Sequence, residues 1–321
     1  MFRRFLLVCM VCLLAFQASV SFAAAEAGDA TSIKHFRMGG SALGLRGTSK
    51  QDAEATFNVY LTALYQQVKT DLSLYVAMYP NSSALLAAFD KGEIDGFFGT
   101  PLDYLSRKNR AGKYLVGVEF KLGPLKQRFY IVARADDGTA QLKDLEHKRL
   151  TLGAYMDIEE LYLNTVLLRS KLPEIPVFFR ERREAKSPNI ALMDVFFNNS
   201  DVTVVRENEY NIAVELNPQL SKKLIVLGKS EPYLATVGFL SDKFPDEDFK
   251  GLVDAFQKVA NSEMGKKLMD IVQVSGVAMV ALDDVKNVQE LVTENALLRR
   301  AAGRATKSIT TEKIKTRRDA R

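Results

Sequence analysis

Cysteine and histidine are nearly missing from this chain, and their scarcity removes whole classes of chemistry. Among 321 residues there are two cysteines, Cys9 and Cys12, and two histidines, His35 and His147. Both cysteines fall in an opening segment that reads as an export leader, so the processed protein is expected to carry no disulfide and no thiolate nucleophile. Two isolated histidines make no Cys–His pair and no H-E-x-x-H helix, and no nucleophile elbow occurs anywhere. Catalysis and metal capture both lack a residue set, and no cofactor is expected. Long apolar runs are lacking too. The stretch from Phe5 to Phe16 falls short of the roughly 20 residues that a membrane-spanning helix needs.

That same stretch has a different signature. Arg3 and Arg4 precede it, and the small residues Ala23, Ala24 and Ala25 follow, which is the layout of a cleaved leader covering 1–25. Each cysteine follows a valine, where a lipid-modified cysteine wants a small neighbour, so no lipid anchor is expected. The mature chain is expected in the periplasm.

Charge is unevenly spread. The net charge of +5 arises at the ends: residues 296–321 alone hold nine Lys and Arg against Glu312 and Asp319. The body between the leader and this tail is slightly acidic and shows no basic face, so nucleic acid is excluded as a partner. Residues 299–321 have few large apolar side chains and no sustained period, and read as a disordered basic tail.

What the chain does have is a pattern used twice. Leu85, Leu86 and Phe89 lead to Gly92, Asp95 and the apolar run Ile94, Phe97, Phe98. About a hundred residues on, Leu192, Val195 and Phe196 lead to Asn198, Asp201 and Val202, Val204, Val205. Each copy reads as a helix closed by a residue that tolerates left-handed backbone, followed by a core strand. Two copies predict two similar α/β lobes, and in open α/β sheets ligands sit at the C-terminal ends of strands.

A pass along the chain fills in these lobes. Lys34–Met38 reads as a first strand ending in a Gly39-Gly40-Ser41 turn, and Thr48 or Ser49 caps the helix that follows. Leu74–Met78 is a second strand, and Pro101 opens a short helix. Strands follow at 128–134, Leu150–Gly153 and Val177–Phe179, with a helix at 158–168. Leu224–Leu227 and Thr236–Leu240 lead back to the first lobe. The expected division is 30–128 and 232–298 for lobe one, 129–231 for lobe two, and 299–321 for the tail.

Several short motifs carry a family resemblance. They are Ser49-Lys-Gln-Asp-Ala-Glu-Ala, Gly92-Glu-Ile-Asp, Leu142-Lys-Asp-Leu-Glu-His-Lys-Arg-Leu, Asn217-Pro and Ser230-Glu-Pro-Tyr. In this order, over residues 34–275, they resemble the phosphate/phosphite/phosphonate branch of the type 2 periplasmic binding proteins. His147 stands where that pattern usually has glycine. The resemblance implies two α/β lobes, each a mostly parallel sheet flanked by helices, joined by two hinge crossovers. It implies a monomer that captures a small polar or anionic ligand and hands it to the membrane permease of an ABC importer. The alternative is a sensor subunit presenting its closed form to a membrane kinase or cyclase. One segment departs from the pattern. Such receptors offer a hydroxyl-rich turn after the first strand of lobe two, but this chain has Ala154-Tyr-Met-Asp157-Ile-Glu159-Glu160, whose acids would repel an anion.

Strand ends nominate the site. Lobe one offers Gly40, Ser41, Tyr79, Asn81 and Thr100; lobe two offers Tyr155, Ser187, Asn189, Arg206 and Glu207. Each has a plainer reading as well. Thr100 and Ser187 suit helix caps, Tyr79 and Tyr155 can seal lobe edges, and Arg206 can pair locally with Glu207 or Glu209. Asp95 and Asp201 lie at strand starts, away from the cleft, and read as turn residues.

Overall fold

The computed structural model describes residues 35–41, 50–68, 73–106, 114–120, 124–135, 138–153, 156–234, 236–241, 246–271 and 274–319. All belong to one compact unit, Ile33–Arg321. The expected leader, Tyr155 and the Thr48–Ser49 cap lie outside the described residues.

In chain order the elements are β1 (His35–Ser41), α1 (Lys50–Val68), β2 (Ser73–Tyr79), α2 (Ser82–Asp90), β3 (Gly96–Gly99), α3 (Pro101–Ser106) and β4 (Tyr114–Phe120). Next come β5 (Lys126–Gln127), β6 (Phe129–Arg134), β7 (Arg149–Gly153), α4 (Asp157–Arg169), α5 (Ile175–Phe178), β8 (Glu181–Ala185), α6 (Pro188–Phe196) and β9 (Val202–Arg206). The chain continues with α7 (Glu207–Leu216), α8 (Gln219–Lys223), β10 (Leu224–Lys229), β11 (Tyr233–Leu234) and β12 (Val237–Leu240). It closes with α9 (Asp246–Asn261), α10 (Glu263–Ile271), β13 (Val274–Val280) and α11 (Lys286–Asp319).

These strands form two large sheets, ordered β13-β4-β12-β3-β1-β2 and β10-β6-β9-β7-β8. The α/β class holds, but each sheet is mixed rather than mostly parallel. The β3-β1-β2 and β9-β7-β8 groups run parallel, while the strands where the chain passes between sheets run antiparallel. The two passages pair with each other as β5 and β11. Ser230 pins this junction: its Oγ accepts from the Phe129 N–H at 2.7 Å, and its own N–H donates back to the Phe129 carbonyl. Each sheet has an apolar core, one around Phe89, Phe97 and Phe239, the other around Phe129, Ile131 and Phe178.

The doubled pattern is built from one lock used twice. Arg37 on β1 donates through its N–H and Nε to Asp95 Oδ2 (2.9 and 3.0 Å) and through Nη2 to the Gly92 carbonyl (2.7 Å). Arg149 on β7 makes the same bonds to Asp201 Oδ2 (2.7 and 3.0 Å) and to the Asn198 carbonyl (3.0 Å). Gly92 and Asn198 both take positive φ, 73° and 64°, which turns the carbonyl toward the arginine. Each lock fastens the start of one parallel strand to the turn feeding its neighbour. At Asp201 burial raises the carboxyl pKa, but the bonds from Arg149 outweigh it and hold the group below its usual range. Asp95 and Asp201 are therefore structural residues at the end away from the cleft.

Several sequence expectations are corrected. Gly39, Gly40 and Ser41 do not form a turn; β1 runs through them in register with Ala77, Met78 and Tyr79. Val177–Phe179 is not a strand, because Pro176 starts the short helix α5. The strand is β8, which sits at a sheet edge with Glu181 to Glu184 exposed and so shows no apolar pattern. Residues 286–298 do not join lobe one. They form the start of α11, which packs on α4: Val288 and Leu291 enter the lobe-two core, and Asn295 Nδ2 donates to Thr165 Oγ1 in a buried bond of 2.9 Å. Finally, α11 runs to Asp319 where a disordered tail is expected, since this proline-free stretch is rich in alanine, lysine and arginine.

Candidate functional site

Because β1 and β2 run parallel, as do β7 and β9, the C-terminal ends of each group lie together at one sheet edge. Helices start at these edges, with α2 following β2, α3 following β3, and α4 and α7 following β7 and β9. Unpaired N–H groups and the positive ends of the helix dipoles gather there.

The nominated residues separate clearly. Arg206 ends β9 with its side chain only 9% exposed, and its Nε donates to Glu159 Oε1 at 2.8 Å. Glu159 lies in the first turn of α4 with 2% exposure. Sequence reasoning offered Glu207 or Glu209 as local partners for Arg206; the structure pairs it with Glu159 instead. Glu209 has a different task, accepting from the Arg206 backbone N–H at 3.1 Å, and Glu207 takes the Tyr130 hydroxyl. That bond and burial push the Tyr130 phenol up to about 12, with burial the larger cause. Among the described residues the Nη1 and Nη2 groups of Arg206 make no hydrogen bond, so the forked end of a buried guanidinium is left over at a strand end.

Thr100 is a cap. Its N–H and hydroxyl donate to Asp103 Oδ2 at 2.7 and 3.1 Å, and its Oγ1 accepts from the Asp103 N–H. Asn81 caps α2 by accepting from the Ala84 N–H (2.9 Å), and Ser187 caps α6 by accepting from the Ile190 N–H (3.3 Å). Asn189 is exposed in the first turn of α6. The ring of Tyr79 lies over Gly39, its Cε2 3.3 Å from where a Cβ would stand. Burial raises its phenol pKa, the charges of Glu93 and Tyr75 raise it further, and Arg37 lowers it. Gly40 lies under Met78, whose sulfur would sit 2.7 Å from an added Cβ, so it packs and presents nothing.

Ser41 remains. It is 1% exposed, and its Oγ has no hydrogen-bond partner among the described residues. Sequence reasoning missed Glu159 as the holder of Arg206, and also Ser82, whose buried Oγ is likewise unpartnered. The acidic start of α4 signalled Glu159; nothing local could signal that the Ser82 Oγ is buried.

Asp157, at the start of α4, has its pKa raised first by loss of water and next by the charge of Asp103 on α3, although part of its surface is open. Among the described residues no group of His, Cys, Asp and Glu is arranged to hold a metal ion, and no helix is long and apolar enough to cross a membrane.

A family model described as "ABC transporter, phosphonate, periplasmic substrate-binding protein" matches residues 47–285. A search of curated proteins finds no match. Among solved structures, a Xanthomonas citri protein bound to chloride ion is similar over 84% of this chain and 99% of its own, with 13% identity and a TM-score of 0.62. The binding component of a phosphonate ABC transporter from Pseudomonas aeruginosa matches over 88% and 99%, with 14% identity and a TM-score of 0.55. PhnD1 of Prochlorococcus marinus, in complex with methylphosphonate, matches over 80% and 97%, with 15% identity and a TM-score of 0.58. At such identities the likeness to these structures is one of fold.

Proposed function

The chain belongs to the periplasmic substrate-binding proteins of phosphonate ABC transporters, and we propose that it captures a small oxyanion between its lobes, with Arg206 as the countercharge. The observation that carries this reading is the guanidinium of Arg206. It is buried at the end of β9 and held through Nε by Glu159, while Nη1 and Nη2 have no partner among the described residues. A guanidinium held in this way presents two parallel donors, the geometry that suits phosphonate or sulfonate oxygens. Glu159 fixes the fork without using it up.

The acids at the start of α4 then acquire a role. Asp157 opens α4 as an exposed acid whose pKa is raised first by loss of water and next by the charge of Asp103, and an acid at this strand end favours a ligand whose far end is neutral or cationic rather than a second anion. Closure of the lobes about the β5–β11 junction brings these groups onto the ligand, a hinge movement of the usual kind. The leader covering 1–25 is removed on export, and the closed form delivers its ligand to a permease.

Titration calorimetry on the exported protein tests this. Methylphosphonate, 2-aminoethylphosphonate, inorganic phosphate and methanesulfonate are the probes. At least one is expected to bind, the aminated probe more tightly than methylphosphonate. Arg206→Gln is expected to reduce affinity by roughly tenfold or more, as for other hydrogen bonds to charged groups. No heat from any oxyanion, or unchanged affinity in Arg206→Gln, overturns the reading.

A further inference from the structure

We infer that the distal half of α11 is a docking arm for an anionic lipid surface, held on the headgroups by a stripe of cations. The attachment is independent of the cleft. Only its use in delivery rests on the reading of the chain as an importer's receptor.

The arm begins where α11 leaves the body. Up to Asn295 the helix is held: Val288 and Leu291 enter the lobe-two core, and Asn295 bonds to Thr165. The most distal ion pair of α11 among the described side chains joins Arg299 Nε to Glu174 Oε2 at 2.8 Å. From Arg299 to Gly303 every position is exposed. That run covers more than one full turn, so the helix has parted from the body by its end. The backbone nevertheless stays helical to Asp319. At about 1.5 Å per residue, the part beyond Arg299 is roughly 30 Å long.

Charge changes at the same boundary. Residues 299–321 carry nine Lys and Arg against Glu312 and Asp319, whereas the body is slightly acidic. Counted at about 100° per residue, Arg300, Arg304, Lys307, Lys315 and Arg318 fall within an arc of about 80°. By the same count this arc lies opposite that of Val288, Leu291 and Asn295, the residues that pack. Glu312 and Asp319 share a separate flank. Between Arg304 and Asp319 the large apolar residues are Ile309 and Ile314 alone. With so little apolar surface the arm lies on a bilayer rather than in it, and the attraction is electrostatic.

A straight stripe of cations suits a planar anionic surface better than a second copy of this chain. In such a copy many acids are already spent on ion pairs, among them Glu294 with Arg169, Asp284 with Lys126 and Glu160 with Arg182. An anionic bilayer presents unpaired phosphates along the whole arm. Attachment of this kind keeps the receptor beside the membrane that holds its permease and raises its local concentration there.

Co-sedimentation of the exported full-length chain with vesicles tests the arm, comparing pure phosphatidylcholine with phosphatidylcholine containing phosphatidylglycerol. Binding is expected only to the anionic vesicles. It should be lost between about 0.1 M and 1 M salt, as the screening length falls from about 10 Å to about 3 Å. Each cation near such a surface contributes about fivefold in affinity. The combined variant Arg304→Gln, Lys307→Gln, Lys315→Gln and Arg318→Gln should therefore bind roughly a hundredfold more weakly or worse. Deletion of residues 303–321 should do the same. Both variants are expected to keep the wild-type melting temperature and the wild-type oxyanion affinity in solution, which separates the arm from fold and cleft. Undiminished vesicle binding in either variant, or equal binding to neutral vesicles, overturns the arm. So does sedimentation equilibrium showing that these turns pair two copies of the chain. If no oxyanion binds while the vesicle result holds, the cleft reading falls and the arm stands.

Discussion

The two parallel-strand units of this protein share a frame and differ at their open ends. Arg37–Asp95 and Arg149–Asp201 fasten the closed ends bond for bond. Counting forward from the two aspartates, Thr100 matches Arg206 and Asp103 matches Glu209, and each acid accepts the backbone N–H of its partner. The side chains at these matched positions diverge. Lobe one has a hydroxyl spent on its own cap, and lobe two has a guanidinium whose Nη1 and Nη2 donors have no partner among the described residues. At the neighbouring strand the asymmetry reverses, with Ser41 and Ser82 unpartnered in lobe one and Gly153 packed on Pro188 in lobe two. A repeated fold thus keeps what holds each lobe together and varies what the cleft is offered.

The largest expected effect breaks this comparison at Arg206. Arg206→Ala breaks the buried Arg206–Glu159 ion pair, and loss of one partner of such a pair typically costs about 3–5 kcal/mol. Thr100→Ala, at the matched position, removes a cap worth about 1 kcal/mol. Denaturant midpoints of the two variants should differ several-fold in their shifts. Equal shifts would mean that the buried pair is not formed.

The locks come next. Asp201→Asn is expected to destabilise by about 2–3 kcal/mol, since its bonds to Arg149 are charge-assisted and shielded. Asp95→Asn should cost less, because Asp95 is 24% exposed against 10% for Asp201. The sign with pH follows from the depressed pKa of Asp201. Its contribution is complete above the unfolded-state value and is lost as pH falls through the folded one. Acid titration of stability should therefore be shallower in Asp201→Asn than in wild type, and an identical acid limb would rule out this residue as a contributor.

Smaller still is the effect of crowding Gly153 against Pro188. Gly153→Ala drives a methyl into the Pro188 backbone and should cost about 1–3 kcal/mol, whereas Ser41→Ala should cost nothing. Melting temperatures decide between them, and a stable Gly153→Ala would mean that the two ends are more alike than they are drawn. The smallest effect belongs to the end of α11. Deleting residues 303–321 should shift stability by less than about 0.5 kcal/mol, because the anchoring bonds Arg169–Glu294, Asn295–Thr165 and Arg299–Glu174 all precede the cut. A loss of several degrees would show that the distal turns pack.

The doubled motif, the α/β class and the left-handed positions Gly92 and Asn198 follow from the sequence alone. They rest on local causes: helix period, β-branched runs, and the few residues that tolerate positive φ. His147, standing where glycine is common, adopts a φ of 59° for the same reason. The partners of Asp95 and Asp201 lie 58 and 52 residues away, and no local pattern reports a contact at that range. Only the tertiary structure could pair Arg206 with Glu159 rather than with an adjacent acid, lay the Tyr79 ring over Gly39, and carry the chain after β13 into α11 on the other lobe. Three of the nominated residues, Asn81, Thr100 and Ser187, are spent as caps, because a hydroxyl or amide at a strand end serves its helix or a ligand by geometry alone. Sequence dictated which groups stand at the strand ends; packing decided which of them remain free.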